Sequence, residues 1–347
     1  MKKPLTTMLN DYLVTLIKQN LSNGISTLPS ENSLAIRFGV SRTSIRKALA
    51  DLEREGLIFR VRGKGCFIHD GGKLSDLENG VFEKIFAFIC PETRTVFVSE
   101  IKEGIKGFCN ENGILLLTLP SDFSASKEIE NLHFARRAGA QGLIIMPTID
   151  YEHHSEVLAP QINKLPIVFV DTKPKGLNGV CVSSKHFDMG LLAANYLKKQ
   201  NCKRIAIICS SNIGSVKSRI EGYISALGDE KPIIIHDIGH YDGQDLTNYL
   251  KDKLQNVDGI ISQSGTHAAQ IIYAMSQLNK TIFDDYQMVV FDNDCDLIDL
   301  MLPRPVPAVM QQAYKIGHRA AQMLSYSISS NFMSPFTNTF FDVKMRV

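Results

Sequence analysis

Residues 28–68 read LPSENSLAIRFGVSRTSIRKALADLEREGLIFRVRGKGCFI. Ser30, following Pro29, is placed to cap a helix whose apolar residues Leu34, Ala35 and Phe38 fall on one side, and Gly39 stops that helix. Ser41 is a second cap, and Ile45, Ala48, Leu49 and Leu52 recur at three- and four-residue spacing along a second helix. Arg42, Thr43, Ser44 and Arg46 lie off that stripe in the first turn and a half, where side chains and the positive end of the helix dipole meet phosphates or base edges. Gly56 ends the second helix. Residues 57–61 and 66–68 then predict two short strands joined by the basic turn Arg62-Gly63-Lys64-Gly65. Two capped helices and a basic hairpin make a winged helix-turn-helix.

Charge supports a polyanion partner for this end of the chain only. Residues 1–70 hold 11 Lys and Arg against 6 Asp and Glu, and the remaining residues hold 27 against 30. The overall balance of +2 conceals this asymmetry. A solvated charged helix face would explain the cations alone, but not the two caps, the apolar spacing and the hairpin together.

Residues 4–68 resemble the DNA-binding domain of GntR-family transcription regulators, whose LPSE, FGVSR, EGL and glycine-rich wing stand here in order. The resemblance implies DNA contacts from Ser41, Arg42, Thr43, Ser44 and Arg46, and from Gly63 and Lys64 at a wing tip entering the minor groove. Asn32 stands where relatives often carry Arg, which implies a weaker contact there or a different base.

At 347 residues, 44% hydrophobic and 21% charged, the chain has a globular composition and length for two domains. It has no run of 18 apolar residues, and residues 1–19 carry a polar group every few positions. An amphipathic first helix is expected there rather than a signal peptide, with no membrane partner and a cytoplasmic location. The seven cysteines form no CxxC pair and are expected as free thiols.

From Ile85 onward short Val/Ile/Leu runs alternate with helical patterns. IFAFIC, GILLLTLP, GLIIMP and PIVFVD lead into helices at 97–112, 126–138, a short one after GLIIMP, and 185–200. RIAIIC, PIIIHDI, GIIS and MVVFD repeat the rhythm, with helices at 216–227, 243–255 and 266–278. Such runs indicate parallel sheets covered on both faces, hence an α/β class. Two series joined around residues 171–185 predict two lobes, with a ligand cleft at the carboxyl ends of their strands. The division expected is a head at 1–70, a glycine-rich, charged linker at 71–83 and a two-lobed, periplasmic-binding-protein-like domain at 84–347.

This larger region is similar to the effector-binding domain of LacI/GalR regulators, through EIKEGIKGFCNENGI, LPIVFVD, SVKSRIEGY, MVVFD and PAVMQQAYKIG in that order. The resemblance implies an effector site formed by Asp171, Arg219 and Asp292, with Phe97 and Tyr241 stacking on the ligand. Carboxylates accept from hydroxyls and a guanidinium fork donates to adjacent oxygens, as a diol requires. Gln263-Ser264 replaces a frequent Asn-Asp pair, so the effector's identity does not carry over; a monosaccharide is favoured. Strand-end capping for the aspartates, a surface ion pair for Arg219 and plain packing for the two rings are the bland counterparts.

The expected whole is a homodimeric, DNA-binding repressor answering to a small effector, with no cofactor, no metal and no catalysis. Adjacent His153 and His154 diverge on any regular element, and His236 and His240 straddle a strand end. A winged-helix head fused to a catalytic domain, such as a pyridoxal-phosphate aminotransferase, and a pure solute-binding protein are the rival readings. No lysine-centred cofactor motif supports the first, and the basic head disfavours the second.

Overall fold

The structure is a computed structural model describing residues 5–22, 25, 27–54, 57–61, 65–68, 84–92, 95–147, 165–209, 214–236, 243–292, 294–330 and 336–347. The N-terminal unit consists of α1 (Leu5–Ser22), α2 (Glu31–Phe38), α3 (Arg42–Arg54), β1 (Ile58–Val61) and β2 (Gly65–Ile68). Its start signals act as their chemistry dictates. The Ser33 N–H donates to Ser30 Oγ at 3.1 Å, and the Ser44 N–H donates to Ser41 Oγ at 3.1 Å. Gly39 ends α2 at φ 61°, a left-handed conformation that costs glycine little. Leu34, Ile45, Ala48, Leu49 and Leu52 are buried against Leu13 and Ile17 of α1. Phe38 is half-buried at the edge of that core. β1 and β2 pair antiparallel from Ile58↔Ile68 to Val61↔Gly65, so the connecting residues 62–64, with Gly63 and Lys64, lie outside the described residues. The expected linker at 71–83 lies outside them as well.

The rest forms two lobes of the same plan. The first sheet has the order β13-β7-β6-β5-β3-β4, from β3 (Lys84–Cys90), β4 (Ile114–Pro120), β5 (Gly142–Ile145), β6 (Ile167–Val170), β7 (Val180–Ser184) and β13 (Thr339–Phe341). The second has the order β14-β12-β11-β10-β8-β9, from β8 (Ile205–Ile208), β9 (Ile233–Ile235), β10 (Gly259–Ser262), β11 (Gln287–Phe291), β12 (Ala308–Met310) and β14 (Lys344–Arg346). All pairings are parallel except β12 with β14. Both faces of each sheet are covered, which is why the strands read as unbroken apolar runs. Phe86, Phe88 and Cys90 face one core while Ile85, Ala87 and Ile89 face another, as the pleat requires.

The helices are α4 (Val96–Glu111), α5 (Ala125–Arg137), α6 (His186–Lys199), α7 (Gly214–Leu227), α8 (Gly243–Lys253), α9 (Gly265–Ser276), α10 (Asp296–Met301) and α11 (Ala313–Ser329). The lobes are not simply consecutive, as the periodicity suggested. α6 leaves the first sheet to pack on α7 and the second sheet, and α11 returns to pack on α4 and the first. The final strands then go one to each sheet. Residues 171–185, expected as a joint, contain β7, the fifth strand of the first sheet.

The returning helices approach their partners with backbone nearly touching. A Cβ on Gly222 of α7 would stand 1.9 Å from Phe187 O, and one on Gly190 of α6 would stand 1.8 Å from Arg219 O. Gly104 of α4 and Gly317 of α11 make the same contact in the other lobe, 2.0 Å from Tyr314 O and 1.9 Å from Ile101 O. These contacts fix the depth at which Arg219 sits relative to the start of α6.

Candidate functional site

The carboxyl ends of the strands bring Asp171, Arg219 and Asp292 together. Asp171 follows β6 and Asp292 follows β11, the fourth strand in chain order of each sheet. Each has a left-handed backbone, φ 68° and 76°, which is uncommon outside glycine and favours a strand-to-loop bend. Each donates its N–H to the neighbouring fifth strand, Asp171 to Val182 O and Asp292 to Val309 O, both at 3.1 Å. Arg219, on the second turn of α7, is 4% exposed; its Nη2 lies 3.6 Å from Asp292 Oδ1, and its guanidinium carbon lies 5.1 Å from the Phe291 ring centroid.

Two residues not singled out in the sequence complete the cluster. His186, first residue of α6, directs Nε2 at Asp171, 3.0 Å from its carbonyl oxygen and 3.1 Å from Oδ1. Arg219 Nε lies 3.5 Å from His186 Nδ1 and donates to it. Gln311, between β12 and α11, donates from Nε2 to Asp292 Oδ1. His186 and Gln311 each stand just past a fifth strand, where the chain crosses between lobes. Recognising β7 and β12 as strands would have pointed to both.

The two carboxylates are driven apart electrostatically. Burial alone raises Asp171, but His186, Arg219 and a hydrogen bond from Ser215 outweigh it and hold the carboxyl below its ordinary value. Burial wins at Asp292, which is raised despite Arg219 and Gln311, with Asp294 and Asp171 adding to the rise. Asp171 Oδ1 is buried, with His186 Nε2 beside it at 3.1 Å. A carboxylate has about four lone-pair sites, so it can accept from a ligand hydroxyl as well.

The remaining expected residues are placed less centrally. Phe97, in the first turn of α4, is 7% exposed and packs within the first lobe's core. Gln263 follows β10 with its N–H on Ile208 O at 3.1 Å, and the adjacent Ser264 caps α9 by accepting from the His267 N–H. Tyr241 lies outside the described residues.

On the N-terminal unit, Arg42, Thr43 and Arg46 are exposed on α3, and Asn32 is exposed on the first turn of α2. The Ser41 and Ser44 hydroxyls lie 2.9 Å apart, so capping already occupies part of their hydrogen-bonding capacity. Arg46 is 65% exposed and donates from Nε to Glu31 Oε2 at 2.9 Å; Arg60 donates to Arg46 O at 3.0 Å. The exposed face of α3 is therefore cationic, with one arginine held by an acidic neighbour.

Among the described residues no helix is long and apolar enough to cross a membrane, and no group of three or more His, Cys, Asp and Glu is arranged to hold a metal ion. All seven cysteines are free thiols, five of them buried. Burial pushes Cys109 and Cys181 up to about 12.

Residues 5–68 match the family described as bacterial regulatory proteins, gntR family, and residues 86–330 match the periplasmic binding protein domain family. The chain is 24% identical over 202 residues to the arabinose metabolism transcriptional repressor of Geobacillus stearothermophilus, covering 57% of this chain and 54% of that protein. It is 24% identical over 247 residues to the ribose operon repressor of Bacillus subtilis, covering 70% of this chain and 73% of that protein. The first alignment thus spans about half of its relative's length. A LacI family transcriptional regulator from Enterococcus faecalis, solved with bound ribose, superposes with a TM-score of 0.64 at 18% identity, over 76% of this chain and 97% of the other.

Proposed function

Since the chain belongs to the periplasmic binding protein domain family and carries a gntR-family head ahead of that domain, we propose that it is a transcription repressor released from its operator by a monosaccharide. The division is a DNA-binding head at 1–70, a linker at 71–83 and an effector domain at 84–347. Arg42, Thr43, Ser44 and Arg46, with Ser41, Asn32 and the wing tip Gly63-Lys64, meet the operator. Asp171, Arg219 and Asp292 meet the effector, with His186 and Gln311 orienting the two carboxylates; Phe97, Gln263 and Tyr241 border the same site.

One observation carries this reading. Two strand-end aspartates, one from each lobe, converge on a single buried arginine. Such a site offers acceptors and a planar donor to a compact polyhydroxy ligand. A ligand bound to both lobes favours one relative lobe position. A coupling of about 1–3 kcal/mol from that preference changes operator affinity about 5- to 150-fold. The names of the sugar-operon repressors aligned with this chain support the effector class. A single head makes few phosphate contacts, so two heads in a homodimer give the affinity that a repressor requires.

The test is a gel-shift assay of the purified chain on the DNA upstream of its own coding sequence, with ribose, arabinose and other monosaccharides added. Binding that weakens as salt rises and is released by one sugar supports the reading. Absence of DNA binding at low salt would favour a solute-binding protein.

A further inference from the structure

The strand β2 presents two faces. Ile68 is buried in the core of the head and Cys66 packs against that core, so the alternation sends Phe67 to the opposite face. An aromatic ring on the outer face of a two-stranded wing would ordinarily be exposed. Phe67 is instead 1% exposed, and it belongs to the buried cluster of the first effector lobe, with Ile85, Leu117, Leu143 and Phe169. The wing is therefore seated on the effector domain by an apolar contact from a strand whose other face belongs to the head.

We propose that Phe67 is the coupling contact of the switch: the wing docks on the first lobe through this ring, and the effector's influence reaches the head through it rather than through residues 69–83 alone. This rests on the reading of the chain as an effector-controlled DNA-binding protein. The physical basis is the contrast between a packed contact and a chain connection. A connecting segment alone limits how far the head can wander, whereas a buried ring fixes its orientation against one lobe. A shift of that lobe on ligand binding then either carries the wing with it or expels the ring. A single ring is a small interface, so its docked and released states lie close enough in free energy for a ligand to bias them.

Two measurements on the full-length chain test this. The sequence has no tryptophan, so Phe67→Trp introduces the sole indole. A docked wing gives blue-shifted emission resistant to acrylamide quenching in the native protein; emission and quenching equal to those of the urea-unfolded chain would overturn the docking. In the second, operator affinity is measured with and without the effector for wild type, Phe67→Ser and Phe67→Leu. A wild-type response of about fivefold or more should fall below about twofold in Phe67→Ser and be kept in Phe67→Leu. The melting-temperature rise on effector binding should be the same in all three. A full response in Phe67→Ser overturns the coupling role. If no sugar alters operator binding by the wild type, the effector reading fails, and the quenching result alone decides whether the wing is docked.

Discussion

Asp171 and Asp292 are equivalent residues of the two lobes: each ends the fourth strand of its sheet with a left-handed backbone, and each donates its N–H to the fifth strand at 3.1 Å. Their environments nevertheless push them in opposite directions, Asp171 below and Asp292 above the ordinary aspartate value. The sequence places an Asp after both strands. Only the fold shows that one is backed by His186 and Ser215 and the other by Gln311.

This asymmetry predicts opposite pH signatures. An ordinary aspartate titrates near ~3.9. Asp292, raised in the folded state, contributes stability that is complete below that value and lost as pH rises through its folded pKa. Asp171, lowered in the folded state, contributes stability that is present above ~3.9 and lost as pH falls through its folded pKa. The melting temperature of wild type minus that of Asp292→Asn should therefore decrease as pH is raised from about 4 to 7. The same difference for Asp171→Asn should increase over acidic pH. Parallel curves for the two variants would contradict the assignment.

Arg219 serves two carboxylates and a histidine at once, which a compact ammonium cannot reproduce. Arg219→Lys should fold and keep its charge but lose effector affinity by about 10- to 100-fold, or roughly 1.4–2.7 kcal/mol. Isothermal titration calorimetry provides the check. Affinity within twofold of wild type would remove the arginine from the site.

Gly222 is not itself a candidate ligand residue, yet its backbone approach to Phe187 sets the packing of α7 on α6. Gly222→Ala forces the helices apart at a cost on the order of 1–3 kcal/mol. The expected outcome is a lower melting temperature together with weaker effector binding, because Arg219 moves relative to His186. A large loss of stability with unchanged effector affinity would mean that helix spacing does not position Arg219.

On the head, Arg46 is paired with Glu31, so at the proposed DNA interface Glu31 would compete with DNA for it. Glu31→Ala should tighten operator binding by up to about fivefold, since an exposed ion pair is worth ~1 kcal/mol or less. Arg46→Ala should weaken binding, and the double variant should match Arg46→Ala alone. Arg42→Ala should lower the slope of log affinity against log salt by about one. Weaker binding in Glu31→Ala would instead give the glutamate a direct role at the DNA.

Most of the architecture was legible because local rules and tertiary structure agree. Ser30, Gly39 and Ser41 cap the helices they were expected to cap, and the apolar runs from IFAFIC to MVVFD are strands buried on both faces. The parts that were not legible depend on partners distant in sequence. β7 carries Cys181 and two serines in five residues, and β12, β13 and β14 have three residues each, too short for a period to register. Their pairing is set by the sheets they join. The interleaving of the lobes follows from those strands, and so does the arrival of His186 and Gln311 at the site. Phe97 shows the converse limit: the sequence does not tell how much of a ring at a strand-to-helix connection the core covers, and here it covers most of it.

The most direct test of the central claim is a melting-temperature titration of wild type and Arg219→Ala with a panel of monosaccharides. At a hundredfold excess over Kd a bound ligand adds about 2.7 kcal/mol. For domains of this size that is a rise on the order of 5 °C. The account predicts such a rise for at least one sugar in wild type and none in Arg219→Ala. No shift with any sugar, or an equal shift in both proteins, would contradict it.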